Sequence, residues 1–136
     1  MSARRTPPPA RPPPERVETG RAGESIAARF LEGCGMEILA RNHRTSRGEV
    51  DLVCRDGGVV CFVEVRTKRS EAMGTPEESI DRRKARRVVA AATDWAVRHG
   101  GLERPMRFDV VAIVLGDGPP VVRHHRNAFD AEGSTG

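Results

Sequence analysis

The chain has 136 residues, of which 38% are hydrophobic, 31% charged and only 4% aromatic, and its formal net charge is +4. This length corresponds to a single domain, and no apolar run approaches the roughly 20 residues needed to span a bilayer, which argues against a transmembrane protein. The N-terminus also lacks the apolar segment of a secretory signal. We therefore expect a single-domain cytoplasmic protein with no membrane partner.

Proline and polar residues mark the expected limits of this domain. Six of the ten prolines fall between Pro7 and Pro14, so residues 1–18 are predicted to form a disordered tail rich in Pro and Arg. Residues 131–136 are predicted to be a disordered, polar C-terminus. The folded domain is expected to cover residues 19–130.

Within this domain, apolar periodicity and turn residues predict a helix, three strands, a helix and two strands. The helices are expected at about 21–32 and 81–99, and the strands at about 38–42, 48–55, 59–66, 107–115 and 120–124. Thr75 and Glu78 have capping-box spacing and give an alternative start for the second helix. The fourth strand is mostly apolar and should lie inside the sheet, whereas the prolines before the fifth predict an edge.

Two carboxylates are predicted to meet on the hairpin formed by the second and third strands. If Gly57-Gly58 is the turn, Asp51 faces Glu64 directly, and if Asp56-Gly57 is the turn, the two acids are diagonal neighbours. Both registers place them on the same face of the sheet, and a three-residue turn would separate them. The opposite face is apolar and is expected to be the core. The acidic face continues with Arg66 and Lys68.

Like charges opposite each other destabilise a sheet, so these acids indicate either a cation site or exposed acids paired with neighbouring arginines. Mg²⁺ prefers oxygen ligands, and two carboxylates with a carbonyl such as that of Val65 would suit it. Glu24 lies on the same stripe of the first helix as its apolar residues, a position where a charged side chain exposed to water is unusual. This alignment favours a site. Arg66 is placed to orient a water or a phosphate beside it.

Five cations begin the second helix: Arg82, Arg83, Lys84, Arg86 and Arg87. The helix dipole already makes that end positive, so cations there are locally unfavourable. A solvated face, partly neutralised by nearby acids, is one explanation. An anionic partner such as a phosphate backbone is the interpretation we favour. No helix-turn-helix, zinc-finger or aromatic RNA-binding motif accompanies the run.

As a set, six segments resemble the YraN-like family of small bacterial proteins. The segments are GRAGESIAARFL, ILARNHRTSRGEVDLV, FVEVRTK, EESIDRRKARRV, RFDVVAIV and HHRNAF. The resemblance covers about Gly20 to Phe129. That family is similar to the PD-(D/E)XK nuclease superfamily and to archaeal Holliday-junction resolvases. The resemblance implies an α/β, restriction-endonuclease-like fold in which helices flank a central mixed sheet, in the order α-β-β-β-α-β-β.

The same resemblance implies site residues and a metal. Asp51 takes the position of the motif aspartate, Glu64 that of the second acid and Glu24 that of the helix-one acid, together holding Mg²⁺ or Mn²⁺. Arg66 stands where the motif has lysine, and Lys68 follows two residues later. Arginine stays protonated and cannot act as a base, but it can stabilise charge on a phosphate.

These observations predict a metal-dependent endonuclease or exonuclease, a phosphodiester hydrolase that acts on nucleic acid, with branched or single-stranded DNA as candidate substrates. The catalytic candidates are Asp51, Glu64, Arg66 and Lys68. Two alternatives stay open: a non-catalytic nucleic-acid-binding module on a decayed nuclease fold, and a protein-interaction adaptor that uses the proline-rich tail. A branched substrate would suit a homodimer, for which the sequence shows no interface signature.

Overall fold

The computed structural model describes residues 14–134, which form two helices around one sheet. The elements in chain order are α1 (Pro14–Gly33), β1 (Glu37–Thr45), β2 (Gly48–Asp56), β3 (Val59–Lys68), a 3₁₀ turn (Glu77–Ser79), α2 (Arg82–Arg98), β4 (Met106–Val114) and β5 (Val121–Phe129). This α-β-β-β-α-β-β order is the predicted one.

The five strands form one mixed sheet in the order β1-β2-β3-β4-β5. Only β3 and β4 are parallel, and the other three neighbouring pairs are antiparallel. Joining parallel neighbours requires a crossover, which here contains the 3₁₀ turn and α2. The predicted architecture, a mixed sheet flanked by helices, is therefore confirmed. As expected, β4 lies inside the sheet and β5 is an edge strand.

Both faces of the sheet are covered, although the hairpin pattern predicted core on one face only. The α1 side buries Ala27, Ala28 and Leu31 against Leu52, Cys54, Cys61, Val63, Val111 and Ile113. The α2 side buries Val88, Ala92 and Trp95 against Val53, Val60, Phe62, Phe108 and Val110. The face that carries the acids therefore also contains core residues, because α2 packs across its other half.

The helix boundaries differ from the prediction mainly at the N-terminus. Helix α1 begins at Pro14 instead of Arg21, so the end of the segment expected to be a tail is helical. Proline is tolerated in the first turn of a helix because its missing N–H has no intrahelical partner there. The rest of the predicted tail, residues 1–13, lies outside the described residues. Among the helices in 14–134, none is long and apolar enough to cross a membrane.

The second helix begins as predicted, with Asp81 as its N-cap. The Asp81 carboxylate accepts the N–H of Lys84 at 2.9 Å. Thr75 and Glu78, the alternative start, instead stabilise the separate 3₁₀ turn. The N–H of Thr75 donates to the side chain of Glu78, and the N–H of Glu78 donates to the side chain of Thr75, both at 3.3 Å. The capping signal was therefore real but belongs to a shorter element.

The C-terminal segment forms a turn as far as it is described, to residue 134. The side chain of Asp130 accepts the N–H groups of Glu132 and Ser134, at 3.0 and 2.8 Å, and so closes a turn. Gly133 is buried beside Arg82 and Arg86 of α2. The sequence had placed these residues in a disordered C-terminus, and residues 135–136 lie outside the described part.

Candidate functional site

The β2–β3 register resolves the two alternatives that the sequence left open. Asp56 pairs with Val59, so Gly57-Gly58 is the turn, and Gly57 has a φ of +59°. A two-residue turn of this kind requires positive φ, which glycine adopts without steric cost. The register places Asp51 across from Glu64, and their side chains are hydrogen-bonded.

Strands β2 and β3 separate at this point, and Asp51 fills the opening. Their last backbone pair is Leu52 with Val63. Beyond it, the N–H of Val65 donates to Oδ2 of Asp51 at 2.8 Å. The carboxylate thus accepts the hydrogen bond that the N–H of Val65 would otherwise make to the backbone of β2. The separation of the strands opens a cleft between them.

The acid pair is buried in spite of its like charges. Asp51 is 9% exposed and Glu64 is 7% exposed. Burial raises the pKa of Glu64 to about 9, and the neighbouring charge of Asp51 acts in the same direction. Burial also raises the pKa of Asp51, while the hydrogen bonds from Glu64 and Val65 oppose that rise. At neutral pH the two carboxylates therefore share a proton when no cation is present.

Glu24 reaches the same cleft from α1, as its alignment with the inner stripe predicted. The helix approaches β3 closely because residue 23 is glycine: a Cβ there would lie 1.8 Å from Oγ1 of Thr67. Burial, followed by the charge of Asp51, raises the pKa of Glu24, and a hydrogen bond with Asn42 lowers it. Asn42 has a φ of +50°, and β1 pairs with β2 on either side of it.

The two cations after Glu64 have different surroundings. The Nε of Arg66 is buried without a hydrogen-bond partner and lies 3.7 Å from Oε1 of Glu64. Lys68 lines the same cleft, but its Nζ donates to the carbonyl of Gly74 at 3.2 Å. Arg66 is therefore the cation with unused donors beside the acids, while Lys68 braces the loop that follows β3.

The cleft has a volume of about 780 Å³. The predicted residues Glu24, Asp51, Glu64, Arg66 and Lys68 all line it. Among the described side chains, those of residues 18–134, however, no three of His, Cys, Asp or Glu lie close enough together to form a metal site. The buried acid pair itself suits a hard cation, since it offers carboxylate oxygens and holds a proton that a cation would displace. Asp51 and Glu64 would hold Mg²⁺ or Mn²⁺ directly, with Glu24 near them.

The basic start of α2 lies next to this cleft. A smaller hollow of about 350 Å³ is lined by Glu49, Glu64 and Arg66, which also line the acidic cleft, and by Arg83, Lys84 and Arg87 of α2. Among the described residues, none of the five cations of the run makes an ion pair with a carboxylate. The predicted nucleic-acid-binding run and the acid pair are therefore adjacent, which the sequence spacing alone did not establish.

Sequence analysis missed a third buried acid, Asp109 on β4, which is 0% exposed. Its carboxylate accepts from Nε of Arg107 at 3.0 Å, from the N–H of Asn127 at 3.0 Å, and is 2.8 Å from Nε2 of His124. These partners satisfy the charge, so this acid is structural. A single aspartate within the apolar RFDVVAIV strand was the signal that could have identified it.

Comparison with known proteins identifies the family. Residues 23–113 match the model of "Uncharacterised protein family UPF0102". A UPF0102 protein of Anaeromyxobacter sp. (strain Fw109-5) is 62% identical over 122 residues, covering 90% of this chain and 92% of its own length. A UPF0102 protein of Symbiobacterium thermophilum is 46% identical, and the match covers 82% of this chain and 96% of that protein. A UPF0102 protein of Rhodococcus opacus is 45% identical, and the match covers 81% of this chain and 94% of that protein. These matches confirm the YraN-like resemblance, and the chain belongs to the UPF0102 family.

Proposed function

We propose that this protein is a metal-dependent nuclease that hydrolyses phosphodiester bonds in DNA. The α-β-β-β-α-β-β layout is consistent with a restriction-endonuclease-like fold, and the acids on β2 and β3 are the residues to which the resemblance to the PD-(D/E)XK superfamily assigns the two acids of the motif. One observation carries the proposal: Asp51 and Glu64 are buried together and line a cleft that lies beside the cations of α2, which form no ion pair among the described residues.

A buried pair of like charges is destabilising for the fold and therefore points to a ligand of opposite charge. Mg²⁺ or Mn²⁺ satisfies this requirement with the fewest assumptions, because both prefer oxygen ligands. When bound, such a cation supplies positive charge that offsets the charge developing on a phosphate, and it acidifies water.

The chain's own residues would then divide the remaining work. Asp51 and Glu64 hold the cation, and Glu24 accepts a hydrogen bond from a water in the cleft. The unsatisfied Nε of Arg66 donates to a non-bridging phosphate oxygen and stabilises the charge that grows there during hydrolysis. The cations at the start of α2 hold the nucleic-acid backbone.

The test is cleavage of labelled single-stranded, duplex, flap and four-way-junction DNA, with RNA beside them, in EDTA, Mg²⁺ and Mn²⁺. We expect cleavage that requires metal and falls by at least about 100-fold in Asp51→Asn and Glu64→Gln proteins. Asp117→Asn, which changes an exposed acid between β4 and β5, is the control and should retain full activity. No cleavage under any condition, or cleavage that persists in both site variants, would overturn the proposal.

A second candidate is a non-catalytic nucleic-acid-binding module, and one observation favours it. Within the described residues the acids do not converge into a three-ligand site, and Lys68 is occupied by the loop carbonyl of Gly74. This candidate predicts binding that weakens with salt, is unchanged in Asp51→Asn and is never followed by cleavage. The same substrate panel therefore separates the two.

A further inference from the structure

Five arginines surround a second pocket at the start of α2. The pocket has a volume of about 470 Å³, and its lining consists of Arg47, Arg82, Arg83, Arg86 and Arg87. No carboxylate lines it, and none of the five guanidinium groups forms an ion pair with a side chain of residues 18–134. Five like charges around one concavity repel one another, so an anion is the ligand that this arrangement suits.

Arg47 is not among the candidate site residues that the sequence predicted, and the fold holds it in place. It lies in the turn between β1 and β2, where Oγ1 of Thr45 accepts the N–H groups of Arg47 and Gly48 at 3.1 and 3.2 Å. The turn also packs directly on α2, since a Cβ on Gly48 would lie 1.9 Å from the carbonyl oxygen of Arg87. The backbone of Arg47 is therefore fixed beside α2 before any ligand arrives.

The arginine pocket is continuous with the acidic cleft. Arg83 and Arg87 line both the pocket and the smaller hollow, which in turn shares Glu49, Glu64 and Arg66 with the cleft. A chain of phosphate groups bound in the pocket can thus extend to the acid pair without leaving the surface. Guanidinium groups suit phosphate oxygens because their donors form a planar fork.

We propose that the arginine pocket binds a phosphate group of the nucleic-acid backbone, and that Arg47 is the contact from outside α2. Identifying the phosphate as backbone rests on the proposed function, but the binding does not require the acid pair to be catalytic. The pocket fixes the phosphate at one end of the path, and the acid pair lies at the other.

The test is the affinity of the full chain for a fluorescent single-stranded oligodeoxynucleotide in EDTA, which prevents cleavage and so separates this proposal from the proposed activity. We expect Arg47→Ala to weaken binding about tenfold, as one charge-assisted contact would. It should also reduce the slope of log affinity against log salt by about 0.7. Arg98→Ala removes the same charge at the opposite end of α2 and should leave the slope unchanged. Arg47→Lys should recover part of the affinity.

A second arm uses inorganic pyrophosphate as competitor. Pyrophosphate should displace the oligonucleotide from the wild-type protein and do so more weakly from Arg47→Ala. Equal affinity and slope in Arg47→Ala and Arg98→Ala would overturn the assignment of Arg47. Binding that depends on Arg47 but resists pyrophosphate would assign the arginines to bases and overturn the phosphate assignment. Failure of the wild-type protein to bind the oligonucleotide would overturn the proposal as a whole.

Discussion

The N–H of Val65 donates to Oδ2 of Asp51 at 2.8 Å, and Val65 directly follows Glu64, the acid that faces Asp51. This bond gives the aspartate a structural role in addition to its place in the acid pair. Asparagine at position 51 keeps an acceptor for Val65 while removing the charge, so it is the informative substitution. Alanine would leave a buried N–H unpaired, at a cost of about 1–3 kcal/mol.

The first prediction concerns stability and pH in the absence of metal. The pKa of Glu64 is raised from 4.5 to about 9 in the folded protein. The folded state therefore holds this proton more tightly than the unfolded chain does. The stability it contributes is complete below about pH 4.5 and is lost as the pH rises through about 9.

We expect Glu64→Gln to remove this loss and to raise the unfolding free energy at pH 8 by on the order of 2 kcal/mol, since one pKa unit is worth about 1.4 kcal/mol. Urea denaturation in EDTA across this pH range measures the effect. Glu32→Gln, which changes an exposed acid of α1, is the control. If Glu64→Gln keeps the wild-type pH dependence, the acid pair does not share a proton.

The second prediction concerns metal binding. A divalent cation must displace the proton that Asp51 and Glu64 share, because only deprotonated carboxylates bind it well. We expect about one proton to be released for each Mg²⁺ or Mn²⁺ bound near pH 7 and the affinity to rise with pH. Titration calorimetry in two buffers with different ionisation enthalpies measures this release. Identical heats in both buffers would show that no proton leaves.

The third prediction separates Arg66 from Lys68. Because Nε of Arg66 has no hydrogen-bond partner whereas Nζ of Lys68 binds the carbonyl of Gly74, we expect different effects of removing them. Arg66→Ala should lower kcat by roughly 100-fold, as the loss of one charge-stabilising donor does. Lys68→Ala should lower it less and should speed amide hydrogen exchange in the loop 69–76. A larger loss of kcat in Lys68→Ala would reverse these roles.

The fourth prediction tests how α2 is seated on the sheet. A Cβ on Gly48 would lie 1.9 Å from the carbonyl oxygen of Arg87, and backbone cannot rotate away as a side chain can. We expect Gly48→Ala to lower the unfolding free energy by about 1–3 kcal/mol and to weaken nucleic-acid binding by shifting the arginines. Gly118→Ala meets open space and is the matched control. Urea denaturation compares them, and equal midpoints would contradict the close packing.

The fifth prediction distinguishes structural from functional acids. Asp109 is fully buried, and Asp109→Ala removes the acceptor that Arg107, His124 and the N–H of Asn127 share, while Arg107 keeps its ion pair with Asp56 at 3.0 Å. We expect a loss of about 1–3 kcal/mol. Asp51→Asn, which removes a charge from the acid pair, should instead raise the unfolding free energy. Thermal unfolding of Asp109→Ala beside Asp51→Asn measures both, and destabilisation of equal size in the two would refute the distinction.

The sequence alone predicted much of the framework, because local patterns determine it. Apolar periodicity gave the element order, Asp81 gave the start of α2, and residues 56–58 gave the hairpin. The pairing of Asp51 with Glu64 followed from the alternation of side chains along strands. The inward position of Glu24 followed from the helical repeat. Each of these depends on residues close to one another in the chain.

Tertiary structure decided what depends on distant contacts. The turn at Gly57-Gly58 fixed the register, and the separation of β2 from β3 beyond Leu52 and Val63 opened the cleft. Packing of α2 over the second face buried Phe62, which alternation had placed with the acids. The joining of Arg47 to the α2 arginines required Gly48 to contact Arg87. The sequence had left the register open between two turns, and it did not show the other features, because each of them depends on how separate elements pack together.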